Sequence, residues 1–483
     1  MFHLYFSPSP VFCFREMINK LFRPLHQLVS PSLLTFRQCH LPSVRSHALT
    51  PLSDLPRPVT VQGWVKSFRR QKQNTFLDIS DGTSSHHVQV IAATELVPPQ
   101  ISFHSCVEVT GSLVKSDHPG QAVELQAEQL SLVGECHAGY PFQPRRFVKP
   151  EFVRSQPGCK AKTNSVASLM RIRNAASQAV HRYFQSREFL QIHTPVLTSN
   201  DCEGGGEVFS VTPSSPTEEG SYWDSPVHLT VSGQLHLEAL CNGISRVYTF
   251  NPAFRAERGR TRRHLAEFWM IEAEIAFVDD IETIIKSMES LLKFTASEVL
   301  DSCAGDIDLY AKATKGVSNV ENIAKFVDSE VVTMTYTEAV RLLSSQASLG
   351  PLQGGDLGRE HEQWLCHHVG GPVAVINWPG SIKPFYMRQV PGQPDLVSGV
   401  DLLLSGVGEL CGGSLREACP RVLQQRLGSG DHGLDWYLQL RRQGAANTGG
   451  FGLGFERMIQ FLAGVENIRD TIPFHRAPHS CRL

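Results

Sequence analysis

No run of 18 apolar residues occurs in this 483-residue chain, so it offers no candidate for a membrane-spanning helix, and no membrane partner is expected. Its twelve cysteines are scattered, without a C-x-x-C pair or a finger-like Cys/His spacing, which argues for reduced thiols and against structural zinc. A Gly-Lys-Ser/Thr triplet is missing, and with it any P-loop. There is no internal repeat and no low-complexity tract. An excess of one charge is lacking as well, with 45 Lys and Arg against 47 Asp and Glu. What remains is an ordinary soluble composition, 41% hydrophobic and 19% charged, with room for roughly two to four domains.

The near-neutral total hides an asymmetry. Residues 1–53 carry Arg15, Lys20, Arg23, Arg37 and Arg45 against the single acid Glu16, a net +4 that leaves −6 for the rest. This segment is also rich in Ser, Leu and Phe. An Arg-bearing, acid-poor, Ser-rich leader predicts an organellar transit peptide, mitochondrial rather than plastid, and so a place in the mitochondrial matrix. A disordered arm is the alternative.

From residue 57 to 137 the pattern changes to five short alternating runs, "VTVQGWVKSF", "NTFLDISDG", "HHVQVIA", "SCVEVTGSLV" and "AVELQAEQLSLVG", with turn residues between them. Five such strands predict a small barrel of the oligonucleotide-binding type. Lys66, Arg69, Arg70 and Lys72 lie between the first two runs beside Phe68 and Phe76. Cations for phosphates and aromatics for unstacked bases suit single-stranded RNA. A solvated basic turn over core phenylalanines is the structural alternative. Arg70 and Phe76 are the expected anticodon contacts.

Residues 138–165 are Pro-rich and basic and read as a hinge. A second domain, 166–483, opens with a helical pattern from Val166, followed by an apolar strand, "EFLQIHTPVL", stopped by Pro195. "YTFNPAFRAE" and "HLAEFWMIEAEIAF" predict two strands around the charged loop "RGRTRR", and "IETIIKSMESLLKFTASEVL" predicts an amphipathic helix. Residues 213–227 look like a mobile insertion, and residues 300–360 carry no recognisable chemistry.

Three constellations carry chemistry. "FRAERGRTRRHLAEF" offers Arg255, Glu257, Arg263, His264 and Phe268: forked guanidiniums for a polyphosphate, an acid for a purine amino group, and a ring for stacking. "GVDLLLSGVGELCGGSLRE" sets Asp401 and Glu409 eight residues apart, the kind of paired carboxylates that hold magnesium near phosphates, with Arg416 beyond. "NTGGFGLGFER" crowds glycines ahead of Arg457 where a helix begins. It is not a dinucleotide fingerprint, because Phe455 occupies the place of the third glycine and only 26 residues follow Arg457. Singly, each arginine or acid is most often a surface charge and a glycine cluster a turn. Together they describe an ATP site on an antiparallel sheet.

These stretches resemble the class II aminoacyl-tRNA synthetases. Motif 1 is the helix and strand ending at Pro195, motif 2 is "FRAE…RRHLAEF" and motif 3 is "GFGLGFER"; the class I signatures HIGH and KMSKS are absent. An N-terminal oligonucleotide-binding barrel is similar to that of the aspartate, asparagine and lysine subgroup. "TSNDCEGGGEVF", "VSGQLHLE", "GVGELCGGSLRE" and "NIRDTIPFHRAPHS" look like the asparaginyl enzymes, and "PFHRAPHSCRL" with the leader looks like their mitochondrial form. The resemblance covers residues 57–483.

The resemblance implies an α+β chain, an anticodon-binding barrel plus a catalytic domain with an antiparallel sheet flanked by helices. It implies a homodimer formed through motif 1, with ATP and asparagine as substrates, Mg2+, and tRNA(Asn) as partner. Arg255 would hold the α-phosphate, Glu257 and Phe268 the adenine, Arg263 and His264 the outer phosphates, and Arg457 with the Gly454 backbone the γ-phosphate. Asp401 and Glu409 would hold magnesium. Gln234 and Glu272 would face the α-ammonium, with Glu203 over the amino acid, and Arg416 would donate to the side-chain carbonyl. The acceptor for the side-chain amide is Glu203 or Glu272. Aspartyl enzymes place a lysine where Leu237 stands, and loss of that cation disfavours an incoming carboxylate. One departure is Asn447-Thr448, where the family usually has Pro-His. The rival readings are a non-discriminating aspartyl enzyme and an RNA-binding pseudoenzyme of the same fold.

Overall fold

A computed structural model describes residues 43–144, 146–200, 208–214, 222–257, 259, 261–346, 349–352, 354–428 and 433–483. The leader up to residue 42, Glu203 and the heart of the 213–227 insertion lie outside the described residues.

Strands β1 (Arg57–Arg70), β2 (Asn74–Ser80), β3 (Val88–Ala93), β4 (Cys106–Lys115) and β5 (Val123–Gly134) close into a barrel in the order β1-β2-β3-β5-β4. Every second residue turns inward, as the two-residue period of a strand requires: Val59 and Val61 of β1 and Val107, Val109 and Leu113 of β4 are buried. All five expected strands are present. Residues 43–53 of the expected leader are among the described residues. A one-turn helix, Val44–Ala48, capped by Ser43, sits against the barrel with Val44 and His47 buried, and the Val44 N–H donates to Asp81 at 2.8 Å.

The hinge is ordered rather than loose. Its short helix Pro150–Arg154 ends in Arg154, whose guanidinium grips both oxygens of Asp470 at 2.7 Å. Lys162 donates to the His104 carbonyl of the barrel at 3.3 Å, and Arg171 of the next helix to the Gly82 carbonyl at 2.7 Å.

The second body is a mixed sheet. Its strands are β6 (Leu190–Gln191), β7 (Arg246–Phe254), β8 (Glu267–Ala276), β9 (Val332–Thr335), β10 (Val373–Pro379), β11 (Gln393–Leu404), β12 (Gly408–Leu415) and β13 (Thr448–Gly454), in the order β9-β10-β11-β12-β13-β8-β7-β6. The inner pairs are antiparallel, as expected, and the outermost pair at each edge is parallel. The motif 1 strand is shorter than its apolar sequence suggests, since only two residues pair with β7.

Helix α1 (Asn164–Ser186) is capped by the Thr163 hydroxyl and buries Leu169, Ile172, Ala176, Val180 and Phe184, a 3.6-residue stripe. Each fully buried Leu or Ile contributes roughly 1.5–3 kcal/mol. α2 (Gln234–Cys241) lies beside β8 and β7. α3 runs from Ile281 to Thr314, well past the predicted helix, and packs along α1 through an Arg171–Asp306 pair at 2.6 Å. α4 (Val320–Asp328), β9, α5 (Tyr336–Ser344) and α6 (Arg359–Val369) follow, so residues 300–360 are scaffold around one sheet edge. α7 (Asp435–Leu440) and α8 (Phe455–Ala463) complete the body. Ile284 and Met288 of α3 cover one face of β12 and β13, which leaves the other face for a site.

Candidate active site

The opposite face of β8 and β13 reads as a line. Met270 pairs with Gly454, Glu272 with Gly452, and Glu274 with Gly450. These positions are two apart, so their side chains share one face, stepping about 7 Å per pair.

At the Met270 end lies a cavity of about 140 Å³. It is lined by Arg255, Glu257, Arg263, His264, Phe268, Glu409, Gly454 and Arg457, all eight residues expected to touch ATP. The Arg255 guanidinium lies 5.4 Å from the Phe268 ring centre, and His264 lies 3.3 Å from the Glu257 carboxylate. Arg263 faces Glu362 at 3.7 Å. Burial and the neighbouring Arg457 hold the Arg263 guanidinium below its ordinary pKa, against the pull of Glu362. Such crowded cations are relieved by a bound anion. The floor is backbone: Gly412 and Gly452 are direct partners across β12 and β13, and a side chain on Gly452 would meet Met270 at 3.1 Å. A wider cleft of about 830 Å³ opens on the far side of Arg263, but it holds none of this glycine floor and neither Glu257 nor Glu409.

Asp401 and Glu409 flank Gly412. A β-carbon placed on that glycine would lie 3.3 Å from Glu409 Oε1 and 3.8 Å from Asp401 Oδ1. The other oxygens are engaged: Lys383 holds Asp401 Oδ2 at 2.6 Å, and Arg457 holds Glu409 Oε2 at 3.4 Å and its carbonyl at 2.8 Å. Burial pushes Asp401 up to about 7, with Lys383 opposing and Glu409 adding to the rise. Burial also pushes Glu409 upward, but Arg457, Lys383 and Arg255 outweigh it and hold that carboxyl below its usual value. One oxygen from each acid thus faces the same spot. That fits a hard divalent cation which takes few protein ligands and keeps its waters.

At the Glu274 end sits Arg416, 2% exposed. Its guanidinium donates to Glu274 at 2.8 and 3.0 Å and to the Ser414 hydroxyl at 2.7 Å, and lies 3.7 Å from Glu238. Glu238 also accepts from Arg441 and the Tyr437 hydroxyl at 2.6 Å and from Gln234 at 3.0 Å. Gly450 makes room for the pair, because a β-carbon there would lie 2.0 Å from Glu274 Oε2. Between the two ends, Glu272 accepts from the Ser232 hydroxyl and from the Gly233 N–H at 2.8 Å.

Comparison with known proteins gives the family. Residues 151–478 match the model of the class II tRNA synthetases for D, K and N, and residues 59–133 match an OB-fold nucleic acid binding domain. An asparaginyl-tRNA synthetase of Mus musculus is 45% identical over 439 residues, 88% of this chain and 91% of that protein. A probable mitochondrial asparagine–tRNA ligase of Dictyostelium discoideum is 39% identical over 88% of this chain and 94% of its own length. The chain belongs to the asparaginyl-tRNA synthetase family. A solved synthetase of that family, from Pyrococcus horikoshii and complexed with asparaginyl-adenylate, superposes with a TM-score of 0.78 at 29% identity, covering 88% of this chain and 96% of that one.

Within this synthetase fold, sequence reasoning missed Glu238 and Glu274. Both acids face Arg416, whereas Glu272 fastens the Ser232–Gly233 turn. The available signal was the spacing Gln234 to Glu238, one helical turn, and Glu272 to Glu274, one strand period. Leu237 is buried against Cys241, Val247 and Ala276, with no cation in its place. On the barrel, a cavity of about 660 Å³ is lined by Phe68, Arg69, Phe76, His118 and Gln121. Phe76 is there as expected, but the cation over its ring is Arg69, at 4.7 Å; Arg70 instead lies over Phe68 at 5.6 Å and outside that cavity's lining.

Proposed function

We propose that this chain activates asparagine with ATP and transfers it to the 3′ end of tRNA(Asn). The observation that carries the reading is the buried Arg416–Glu274–Glu238–Arg441 cluster in line with the nucleotide cavity. Two cations and two carboxylates balance, so the pocket suits an amide rather than a third carboxylate. Arg416 donates to the asparagine side-chain carbonyl, and Glu274 or Glu238 accepts from its N–H2. Glu272 and Gln234 lie between amide and nucleotide, where the α-ammonium falls.

In the first step a carboxylate oxygen of asparagine attacks the α-phosphorus, the bond to the β-phosphate oxygen breaks, and pyrophosphate leaves. Arg255 shields the charge growing on the α-phosphate, and Arg263, His264 and Arg457 bind the leaving phosphates. Phe268 stacks the adenine and Glu257 accepts from its amino group. Preorganised cations aimed at developing charge supply most of the acceleration. Asp401 Oδ1 and Glu409 Oε1 would hold Mg2+, which supplies charge neutralisation on phosphate oxygens when bound. In the second step a hydroxyl of the terminal ribose attacks the adenylate carbonyl and AMP leaves.

The barrel cavity with Arg69, Phe68 and Phe76 serves for anticodon bases. Leu190 and Leu197 beside Pro195 are 54% and 42% exposed, which supports a homodimer covering motif 1. The +4 leader and the Dictyostelium relative support a mitochondrial matrix location. Because residues 43–48 pack on the barrel, the leader we propose ends before Ser43.

The test is charging of tRNA(Asn) and tRNA(Asp) transcripts with labelled asparagine and aspartate by the chain lacking residues 1–42. Asparagine on tRNA(Asn) alone supports the reading. Aspartate on both tRNAs favours the aspartyl alternative, and no charging at all favours the pseudoenzyme.

A further inference from the structure

Lys160 of the hinge carries a charge that the chain itself leaves uncompensated. The residue is 6% exposed, and its Nζ has neither a hydrogen-bond acceptor nor an ion-pair partner among the described residues. The Phe474 ring centre lies 5.9 Å away, at the outer edge of cation–π contact. Asp470 acts on the ammonium through space, but Arg154 already holds both Asp470 oxygens at 2.7 Å. A buried charge without a partner is unfavourable, and burial accordingly holds Lys160 below its ordinary pKa. Lys160 also borders a cavity of about 260 Å³ between the hinge and residues 473–482, lined as well by Arg154, Arg482, His475, His479 and Glu151. At about 30 Å³ per water, that space takes a tetrahedral oxyanion and several waters.

The lining favours an anion. Arg154 is matched by Asp470, so Lys160 and Arg482 stand against Glu151 alone, which is exposed and pairs with neither among the described residues. Ser480 Oγ lies 3.3 Å from His475 Nε2 on the opposite wall. Hydrogen bonds of 2.8 and 3.1 Å between Ala477 and Ser480 close a turn that carries His479, at a φ of 62°. We propose that this cavity is a phosphate-binding site: the Lys160 ammonium and the Arg482 guanidinium hold one phosphate group, which clamps the hinge to the C-terminal segment. The group is a backbone phosphate of RNA passing from barrel to active site, or free inorganic phosphate; the chemistry recognised is the same. The clamped segment is stitched to the nucleotide cavity, because the Ala266 N–H donates to the Arg476 carbonyl at 2.8 Å and the Arg255 N–H to the Ala266 carbonyl at 3.1 Å. The site does not depend on which amino acid is activated.

The test compares the full parent chain with K160M, R482A and E151Q in two arms. In the first, inorganic phosphate is titrated by calorimetry while a non-hydrolysable ATP analogue and Mg2+ fill the nucleotide cavity. K160M should weaken phosphate binding about tenfold or more, the order of one hydrogen bond to a charged group. R482A should weaken it as well, and E151Q, which removes the opposing charge, should tighten it. Arg482 and Glu151 are exposed, so these two variants keep the test decisive if K160M does not fold. In the second arm, filter binding measures a tRNA(Asn) transcript over a series of salt concentrations. If the phosphate belongs to RNA, K160M and R482A weaken tRNA binding about tenfold and lower the slope of log affinity against log salt by about one. Phosphate binding lost with tRNA binding unchanged assigns the site to free phosphate. Phosphate affinity and tRNA affinity that are the same in parent and variants overturn the proposal.

Discussion

Lys383 Nζ lies 2.6 Å from Asp401 Oδ2, whereas on the neighbouring strand Glu409 Oε2 lies 3.4 Å from Arg457, and the remaining oxygen of each acid faces Gly412. The two carboxylates are therefore not equivalent. Asp401 already has a counter-ion of its own; Glu409 shares Arg457 with the phosphate end of the cavity. E409Q is expected to reduce asparagine-dependent exchange by 100-fold or more, and D401N by about tenfold. A magnesium titration of each variant measures this, and a larger loss in D401N would reverse the assignment.

Arg416 sits under two carboxylates with almost no solvent access. R416M strands Glu274 in the interior while Glu238 keeps Arg441, and breaking a buried pair by removing one partner costs about 3–5 kcal/mol. Thermal melting should show that loss directly. R416K keeps the charge but not the fork, and should retain more stability while losing asparagine activation.

On the barrel, Phe76 and Arg69 share one cavity wall. F76A should raise KM for tRNA(Asn) about tenfold, since stacking one base on an aromatic ring is worth roughly 1–3 kcal/mol. Exchange without tRNA should be untouched. R70A should impair charging less than R69A, since Arg69 lines the cavity and Arg70 does not.

Two histidines are held neutral at the junction of barrel, hinge and C-terminus. Burial, then Lys66 and Lys162, press His104 down to about 3; burial, then Lys160 and Arg154, press His475 down to about 4. A folded pKa below the unfolded value means that the unfolded chain binds the extra proton first. Stability should therefore be intact above pH 6.5 and fall as pH drops toward 4, by up to about 1.4 kcal/mol per pH unit from His104. Melting temperature against pH checks the slope, and H104N should flatten it.

Much of this was legible in the sequence because local patterns carried it. The barrel strands alternate residue by residue, and all eight residues expected to touch ATP lie in two short motifs and one acid between them. The amide cluster was less legible, because Arg416, Glu274, Glu238 and Arg441 come from four separate segments whose meeting depends on sheet order. The Lys383–Asp401 pair was hidden for the same reason. The motif 1 strand is shorter than its apolar run suggests because such a run does not reveal how many of its residues join the main sheet, and here only Leu190 and Gln191 pair with β7. At the charged end of β1, Ser67, Phe68 and Arg69 all line the barrel cavity and Arg70 does not, a distinction that two-residue alternation does not make.

The central claim is that the buried Arg416 cluster selects an amide and the neighbouring cavity couples it to ATP. Amino-acid-dependent exchange of pyrophosphate into ATP, with asparagine and with aspartate at pH 8, tests this most directly. The account predicts robust exchange with asparagine and at least a 100-fold lower kcat/KM with aspartate. Equal exchange with both, or exchange with neither, would contradict it.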